Sequence, residues 1–358
     1  MKKVGIILVN YKEYAGKYLK DCCESLRRQT YPRDLFQVCI VDNASSEDSV
    51  RLITETCPEA RVIPRQDGNY AAANNEGLRV CIQDGCELVT LVNMDTEMDP
   101  AWLEELVKAF EDDARVGLAQ SRILLYPRTE DERKSPRINT VGNHFHFLGF
   151  GYPGGYGTGD VPLSGITDIA GYASGCSLMA RSELLVSVGM YDEDLYMYHD
   201  DIDISLKVKL MGYRTVLAPR SIVYHKYEFE RSVRMLYFME RNRYLILFQY
   251  YSWPLLLLIL PALLVMDLSM FTYSLVGHWV HTKLKVYRYF LSCENWKRIC
   301  SRRKGIRQMS RISDAEFIRG FVGEIRFGEI DNVVLRYVAN PLMSVYWKIV
   351  RRVLGCPA

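Results

Sequence analysis

Residues 4–26 read VGIILVNYKEYAGKYLKDCCESL. Val4 to Val9 is a continuous apolar run, the pattern of a strand covered on both faces in a parallel sheet. It turns polar at Asn10-Tyr11, and a helix is expected from about Tyr14 to Gln29, with Leu19, Cys22, Cys23 and Leu26 inward. The alternation then repeats. Phe36 to Val41 is a second strand, and Ser45 or Ser46 caps a helix through about Thr56. Arg61 to Pro64 is a short third strand before a helix from Ala71 to about Gln83. Leu88 to Val92 is a fourth strand, and Pro100 opens a helix to about Phe110, proline being suited to a first helical position. This βαβα order predicts an α/β fold with a mainly parallel, Rossmann-like sheet and helices on both faces. Ligands of such sheets bind in the crevice beyond the strand C-termini.

The rest of the chain bounds the reading. Its 358 residues, 49% hydrophobic, suffice for one large domain and an appendage, and a net charge of +2 argues against a polyanion binder. Ten cysteines show no CxxC pair, so all are expected as reduced thiols of a cytosol-facing protein. The opening MKKVGIILVNY has too short an apolar run for a signal peptide and breaks into Lys12 and Glu13, which favours a buried first strand.

The predicted strand ends are polar: Asn10-Tyr11, Asp42-Asn43 and Asn93-Met94-Asp95-Thr96. Aspartate is a common turn residue, but two at one crevice point to a site. The first strand-to-helix turn holds neither GxGxxG nor GxxxxGK[ST], so a bound phosphate needs a metal or cationic side chains. Asp95, with Asn93 beside it, offers oxygen ligands to a hard cation such as Mg²⁺ or Mn²⁺. Farther on, residues 191–225 read YDEDLYMYHDDIDISLKVKLMGYRTVLAPRSIVYH. Asp200, Asp201 and Asp203 crowd the start of an amphipathic helix that Gly212 stops; a β run, TVLAP, follows, and Ile222-Val223-Tyr224 delivers His225 at the end of a separate short strand. Acids at a helix N-terminus also simply balance the helix dipole.

VGIILVNYKE, VDNASSEDS (41–49), NYAAANNEGL (69–78), LVNMDT (91–96), SGCSLMARSELL (174–185) and the 191–225 stretch follow one another over residues 1–230. In that order they resemble family 2 glycosyltransferases of the GT-A fold, close to the bacterial rhamnosyltransferase-like branch that builds surface polysaccharides such as O-antigen or cell-wall glycan. Two motifs depart from the family pattern. Asn93 stands first in the metal motif, usually DxD, and Asp67 and Asn69 stand where Asn and Gly are usual. Asn69 is expected to take the left-handed conformation there.

The resemblance implies roles. Asp42 would accept hydrogen bonds from a pyrimidine base flanked by Asn10 and Tyr11. Asn74 would help hold the nucleotide or sugar, and Asp95, near Asn93, would bind the metal bridging the diphosphate. His225 would be a further metal ligand. Asp201 would be the general base, its pKa raised by like charge from Asp200, with Asp203 a structural first-turn carboxylate. A metal stabilises charge on the departing phosphate, and the implied reaction is single displacement with inversion. The resemblance divides the chain into a catalytic domain (1–230), with a nucleotide-sugar half (1–125) and an acceptor half (126–230), and a helical membrane-associated region (231–358).

Within the acceptor half, Arg128 to Arg137 reads as a solvated charged loop. FLGFGYPGGYGTGD (147–160) reads as an acceptor-side loop that orders on substrate. His144 and His146 have strand-like spacing without a metal partner, and Ser174 to Ala180 reads as a strand. Residues 231–252 are expected as a helix carrying Arg231, Arg234, Arg241 and Arg243. The apolar run from Trp253 to Met266, extended to Val276, could span a bilayer. However, the basic run Lys283, Lys285, Arg288, Lys297 to Arg311 belongs on the same cytosolic side as the nucleotide sugar. The expectation is therefore a re-entrant hairpin or in-plane helices on the cytoplasmic face of the membrane, the basic run on anionic headgroups, with no nucleic-acid partner. The partners implied are a nucleotide diphosphate sugar and a lipid-linked or glycan acceptor. A polyprenyl-phosphate glycosyltransferase and a non-catalytic sugar-binding scaffold are the alternatives.

Overall fold

The structure, a computed structural model, describes residues 1–161, 163, 165–228, 235–330 and 332–356. Two compact units result: residues 1–143, 153–208 and 213–227 form the first, and residues 144–152, 209–212 and 228–358 the second.

In chain order the strands are β1 (Val4–Asn10), β2 (Phe36–Asn43), β3 (Arg61–Arg65), β4 (Leu88–Val92), β5 (Thr96–Met98), β6 (Val116–Leu125), β7 (Ile138–Thr140), β8 (Asn143–Phe145), β9 (Gly151–Pro153), β10 (Thr167–Asp168), β11 (Ser177–Arg181) and β12 (Arg214–His225). The helices of the first unit are α1 (Tyr14–Arg27), α2 (Glu47–Thr56), α3 (Tyr70–Gln83), α4 (Trp102–Lys108), α5 (Glu130–Lys134), α6 (Ser182–Ser187) and α7 (Asp200–Leu210). The main sheet runs β10-β12-β6-β11-β4-β1-β2-β3, with β5 on β12 and β7 on β6; β8 and β9 pair separately.

Only part of this sheet is parallel. β3, β2, β1 and β4 pair in parallel, as the βαβα order predicts. β11 then lies antiparallel to both β4 and β6, while β12 runs parallel to β6. A mixed sheet therefore replaces the mainly parallel one. Helices cover both faces. The core on one side gathers Leu19, Cys22 and Leu26 of α1 and Trp102 and Leu106 of α4 against Ile6, Leu8, Val38 and Ile40. On the other side α3 lies close: a Cβ at Gly77 would sit 2.7 Å from Ile7, and one at Gly5 2.5 Å from Cys81.

Several local expectations shift. Pro100 stands two residues before α4, whose N-cap is Ala101. Ser46 caps α2 and forms a capping box with Ser49. Asn69 is not left-handed (φ −75°) and caps α3 with its side chain; Gly68 takes the left-handed turn, at φ +71°. β11 begins at Ser177, and the charged run holds the short, exposed α5. β6 has no apolar run to announce it, because it buries Gln120, Ser121 and Arg122. Each is bonded: Ser121 to the hydroxyls of Ser177 and Ser221, Gln120 to the backbone of Ser174, Arg122 to Asp160.

The aromatic-glycine segment divides: residues 153–160 belong to the first unit and are mostly exposed or half-buried, whereas residues 147–152 are packed in the second unit. Phe147 and Leu148 are fully buried, and Phe147 stacks on Trp347 at 4.8 Å. His146 is also buried, its Nδ1 accepting from the Leu148 amide. Helices follow at Leu236–Tyr250, Trp253–Val276, Val280–Phe290, Cys293–Met309 and Asn340–Val353. Arg231 and Arg234 lie outside the described residues; Arg241 and Arg243 are buried on the first helix. Lys283, expected among surface cations, is fully buried between Glu240 (2.7 Å) and Asp267 (2.8 Å).

Candidate active site

The crevice lies where the parallel strands end. Asn10 and Asp42 are paired residues of β1 and β2, both fully buried. Asn10 Nδ2 donates to Asp42 Oδ1 at 2.7 Å, and its Oδ1 accepts from the Ala15 amide at the start of α1. Asp42 Oδ2 accepts from Ser49 Oγ at 2.5 Å. The capping box of α2 thus also holds the strand-end carboxylate. Tyr11 remains exposed, and at Gly68 there is no room for a side chain: a Cβ would lie 2.8 Å from the Tyr196 hydroxyl and 3.3 Å from the Tyr11 ring.

After β4 the chain turns through Asn93 and Asp95. Asn93 accepts from the Tyr70 hydroxyl at 3.3 Å, and its amide donates to the Cys176 carbonyl. Asp95 is buried, and its Oδ1 stands 3.4 Å from His225 Nε2. The other imidazole nitrogen, Nδ1, is 3.1 Å from Asn139 Oδ1 on β7. A carbonyl oxygen there calls for a proton on Nδ1, which leaves Nε2 as the nitrogen that faces Asp95. Burial works against protonation of His225, but Cys176 and Asp95 outweigh it and hold its pKa well above the usual histidine range.

A carboxylate and an imidazole at this separation fit two ligands of one divalent cation. Among the described residues no group of three His, Cys, Asp or Glu gathers as a complete cage. That donor set suits Mg²⁺ or Mn²⁺, which commonly take one or two protein ligands and fill the rest with substrate phosphates and water.

The third part of the site is the start of α7. Tyr196, Tyr198 and His199 all take positive φ (67°, 62° and 62°), a conformation non-glycine residues adopt only when surroundings hold it. Here α3 does. Asn75 receives the Tyr191 amide on Oδ1 and donates to the Tyr191 carbonyl and to Glu193, while Asn69 donates to the Glu193 carbonyl. Asn74, by contrast, is buried and donates within its own helix to the Tyr70 carbonyl. The loop so held delivers two adjacent acids of different character.

Burial, then repulsion from Asp201, pushes Asp200 up to about 8. Burial raises Asp201 to about 6, opposed by the amides of Gly175 and Ile202 that donate to it at 3.3 and 2.9 Å. The like-charge effect expected on Asp201 therefore falls on Asp200. Burial works against charge on both carboxyls, and more strongly on Asp200 than on Asp201. Asp203 is engaged elsewhere: it is fully buried, 2.7 Å from Lys207 and accepting from the Asp192 amide.

The structure thus brings together Asn10 with Asp42, Asp95 with His225, and Asp200 with Asp201. Sequence reading missed Ser49, Asn75, Gly175 and Asn139. Ser49 and Asn75 stand inside recognised motifs, VDNASSEDS and NYAAANNEGL, whereas nothing near Asn139 signals its pairing with His225.

This geometry has relatives. Residues 5–175, just under half of the chain, match the family model of glycosyl transferase family 2. The chain is 30% identical over 198 residues to an uncharacterized protein, y4gI, of Sinorhizobium fredii, a match covering 53% of this chain and 21% of that protein. It is 27% identical over 228 residues to the O-antigen biosynthesis protein RfbC of Myxococcus xanthus, covering 62% and 17%. The match thus spans about a fifth of the length of these curated relatives. Among solved structures, GalNAc-T7 with UDP, GalNAc and Mn²⁺ superposes with a TM-score of 0.52 at 16% identity, over 67% of this chain and 47% of that one. The fold is GT-A-like, with a mixed sheet and flanking helices.

Proposed function

We propose that this chain is a metal-dependent, inverting glycosyltransferase that moves a sugar from a nucleotide diphosphate sugar to a growing surface glycan carried on a lipid. A deoxyhexose such as rhamnose is the first donor sugar to test. The observation that carries this reading is Asp201, a partly exposed carboxyl held by the Gly175 and Ile202 amides beside the buried Asp200, with burial raising its pKa.

On this reading Asn10 and Asp42 hold the pyrimidine against Tyr11. Asp95 and His225 would hold a divalent cation, which when bound supplies Lewis-acid stabilisation of the departing diphosphate. Asn139 fixes the His225 ring, so that Nε2 and the Asp95 carboxylate meet one point. Asp201 takes the proton of the acceptor hydroxyl as it attacks the anomeric carbon from the face opposite the leaving group. Asp200, staying protonated, leaves a single negative charge there. The apolar helix Trp253–Val276 supports a place beside the membrane, consistent with a lipid-linked acceptor.

The test is diphosphate release from a panel of nucleotide sugars with Mn²⁺, for the wild-type chain and Asp201→Asn. Metal-dependent release that Asp201→Asn abolishes supports the proposal. Release that survives Asp201→Asn favours a phosphate acceptor needing no base, and no release with any donor favours a sugar-binding scaffold.

A further inference from the structure

Two helices of the second unit turn apolar side chains outward. On Trp253–Val276 these are Leu257, Leu264 and Leu268, each 60–68% exposed, while Leu255, Ile259 and Leu263 of the same helix are buried. On Asn340–Val353 they are Leu342, Val345, Ile349 and Val353, each 54–66% exposed, while Met343, Trp347 and Val350 are buried. The spacing in both is that of a single helical stripe. Each helix therefore has one face in the protein and a second apolar face opposite. The two stripes are neighbours, because the Tyr346 hydroxyl, at the margin of one, donates to the Leu258 carbonyl, at the margin of the other, at 2.5 Å.

We infer that these two stripes form one surface that lies in the plane of an anionic bilayer, sunk to the headgroup–acyl boundary, with Asn340–Val353 as an anchor equal to Trp253–Val276. The inference rests on the membrane-proximal reading of Trp253–Val276 and adds the second helix and the orientation.

Charge selects the occupant. From residue 332 onward the chain carries Arg336, Lys348, Arg351 and Arg352 and no acidic residue. Cys293–Met309 carries Lys297, Arg298, Arg302, Arg303, Lys304 and Arg307 against Glu294 alone. The Arg303 guanidinium lies 4.4 Å from the ring centre of the exposed Trp253, an aromatic–cation pair of the kind that sits at headgroup level. Cations rimming an apolar stripe suit anionic lipid.

Packing selects the orientation. At 24 residues Trp253–Val276 is about 36 Å long, enough to cross. However, Asp267, past its midpoint, is tied to Lys283, which is also tied to Glu240. A crossing helix would carry that charge cluster toward the bilayer interior, where each charge is costly. Lying in the plane leaves the cluster within the protein and gives the lipid only the stripe.

The experiment is flotation of the full chain with phosphatidylcholine vesicles containing about one third phosphatidylglycerol, and with phosphatidylcholine alone. Binding is expected only with the anionic lipid. Leu342→Glu/Ile349→Glu should lower the bound-to-free ratio at least about tenfold, and Leu257→Glu/Leu264→Glu likewise. Both pairs are exposed, so the melting temperature and diphosphate release should be unchanged. A carbonate wash should free the bound protein. Three results overturn the inference: binding indifferent to Leu342→Glu/Ile349→Glu, retention after carbonate, or a lipid-free dimer that these changes dissociate. If the wild-type chain ignores both lipids while diphosphate release persists, the membrane reading fails with it and the catalytic reading stands.

Discussion

Two clusters of charged side chains in this molecule are built on opposite rules. In the second unit Glu240 is bonded by Arg243 and Lys283, and Lys283 also holds Asp267, so opposite charges neutralise one another. In the first unit Asp200 and Asp201 are neighbours with like charge, carried on the loop that α3 pins. A fold that needs only stability does not place two adjacent carboxyls where burial raises both. The paired cluster joins helices; the adjacent carboxyls are what the proposed proton transfer rests on.

The sharpest way to break this comparison is to remove one member from each cluster. Asp201→Asn should lower transfer by about 10³-fold, within the range for losing a general base, while nucleotide binding measured by calorimetry stays within about twofold. Lys283→Met should leave the buried Glu240 and the half-buried Asp267 without their shared cation and destabilise by about 3 kcal/mol in urea unfolding, with little effect on kcat in the protein that remains folded. If Lys283→Met instead removed turnover without loss of stability, the two clusters would not differ in kind.

A smaller effect belongs to Asn139. Asn139→Ala releases the His225 ring and should weaken Mn²⁺ binding about tenfold, read directly by electron paramagnetic resonance of free Mn²⁺. Unchanged affinity would detach Asn139 from the cation seat. Smallest at neutral pH is the effect of Asp200→Asn, and its sign follows from the raised pKa. A carboxyl whose folded pKa is raised binds more protons folded than unfolded, so its contribution to stability falls as pH rises from about 4 to about 8. Asparagine does not titrate. The melting temperature of Asp200→Asn relative to wild type should therefore rise across that window and level off above about pH 8; a difference independent of pH would contradict the shift.

Much of the donor side is legible in the sequence. β1 is an uninterrupted apolar run and β2 and β4 are apolar but for Gln37 and Thr90; their polar ends mark the crevice because a parallel sheet places ligands there. The remainder is hidden for physical reasons. β6 buries Gln120, Ser121 and Arg122, whose partners come from β11, β12 and Asp160, so its sequence looks like a loop. β12 reads as two pieces because its register with β6 slips between Ala218 and Ile222. Lys283 and Arg243 look like surface cations until their partners, distant in sequence or a turn away, are placed beside them. The division of protons between Asp200 and Asp201 is out of reach of the sequence as well. It depends on which of two neighbours the Gly175 amide reaches, and that is set by folding.

The central claim is that Asp201, not Asp200, is the base. The pH dependence of kcat/KM in the wild-type chain, at saturating Mn²⁺ from pH 4 to 9, tests it most directly. The expected result is an acid limb with an apparent pKa near 6, the value at which Asp201 gains its charge. A limb near 8 would move the role to Asp200, and a profile flat down to about pH 4 would remove the pair from proton transfer altogether.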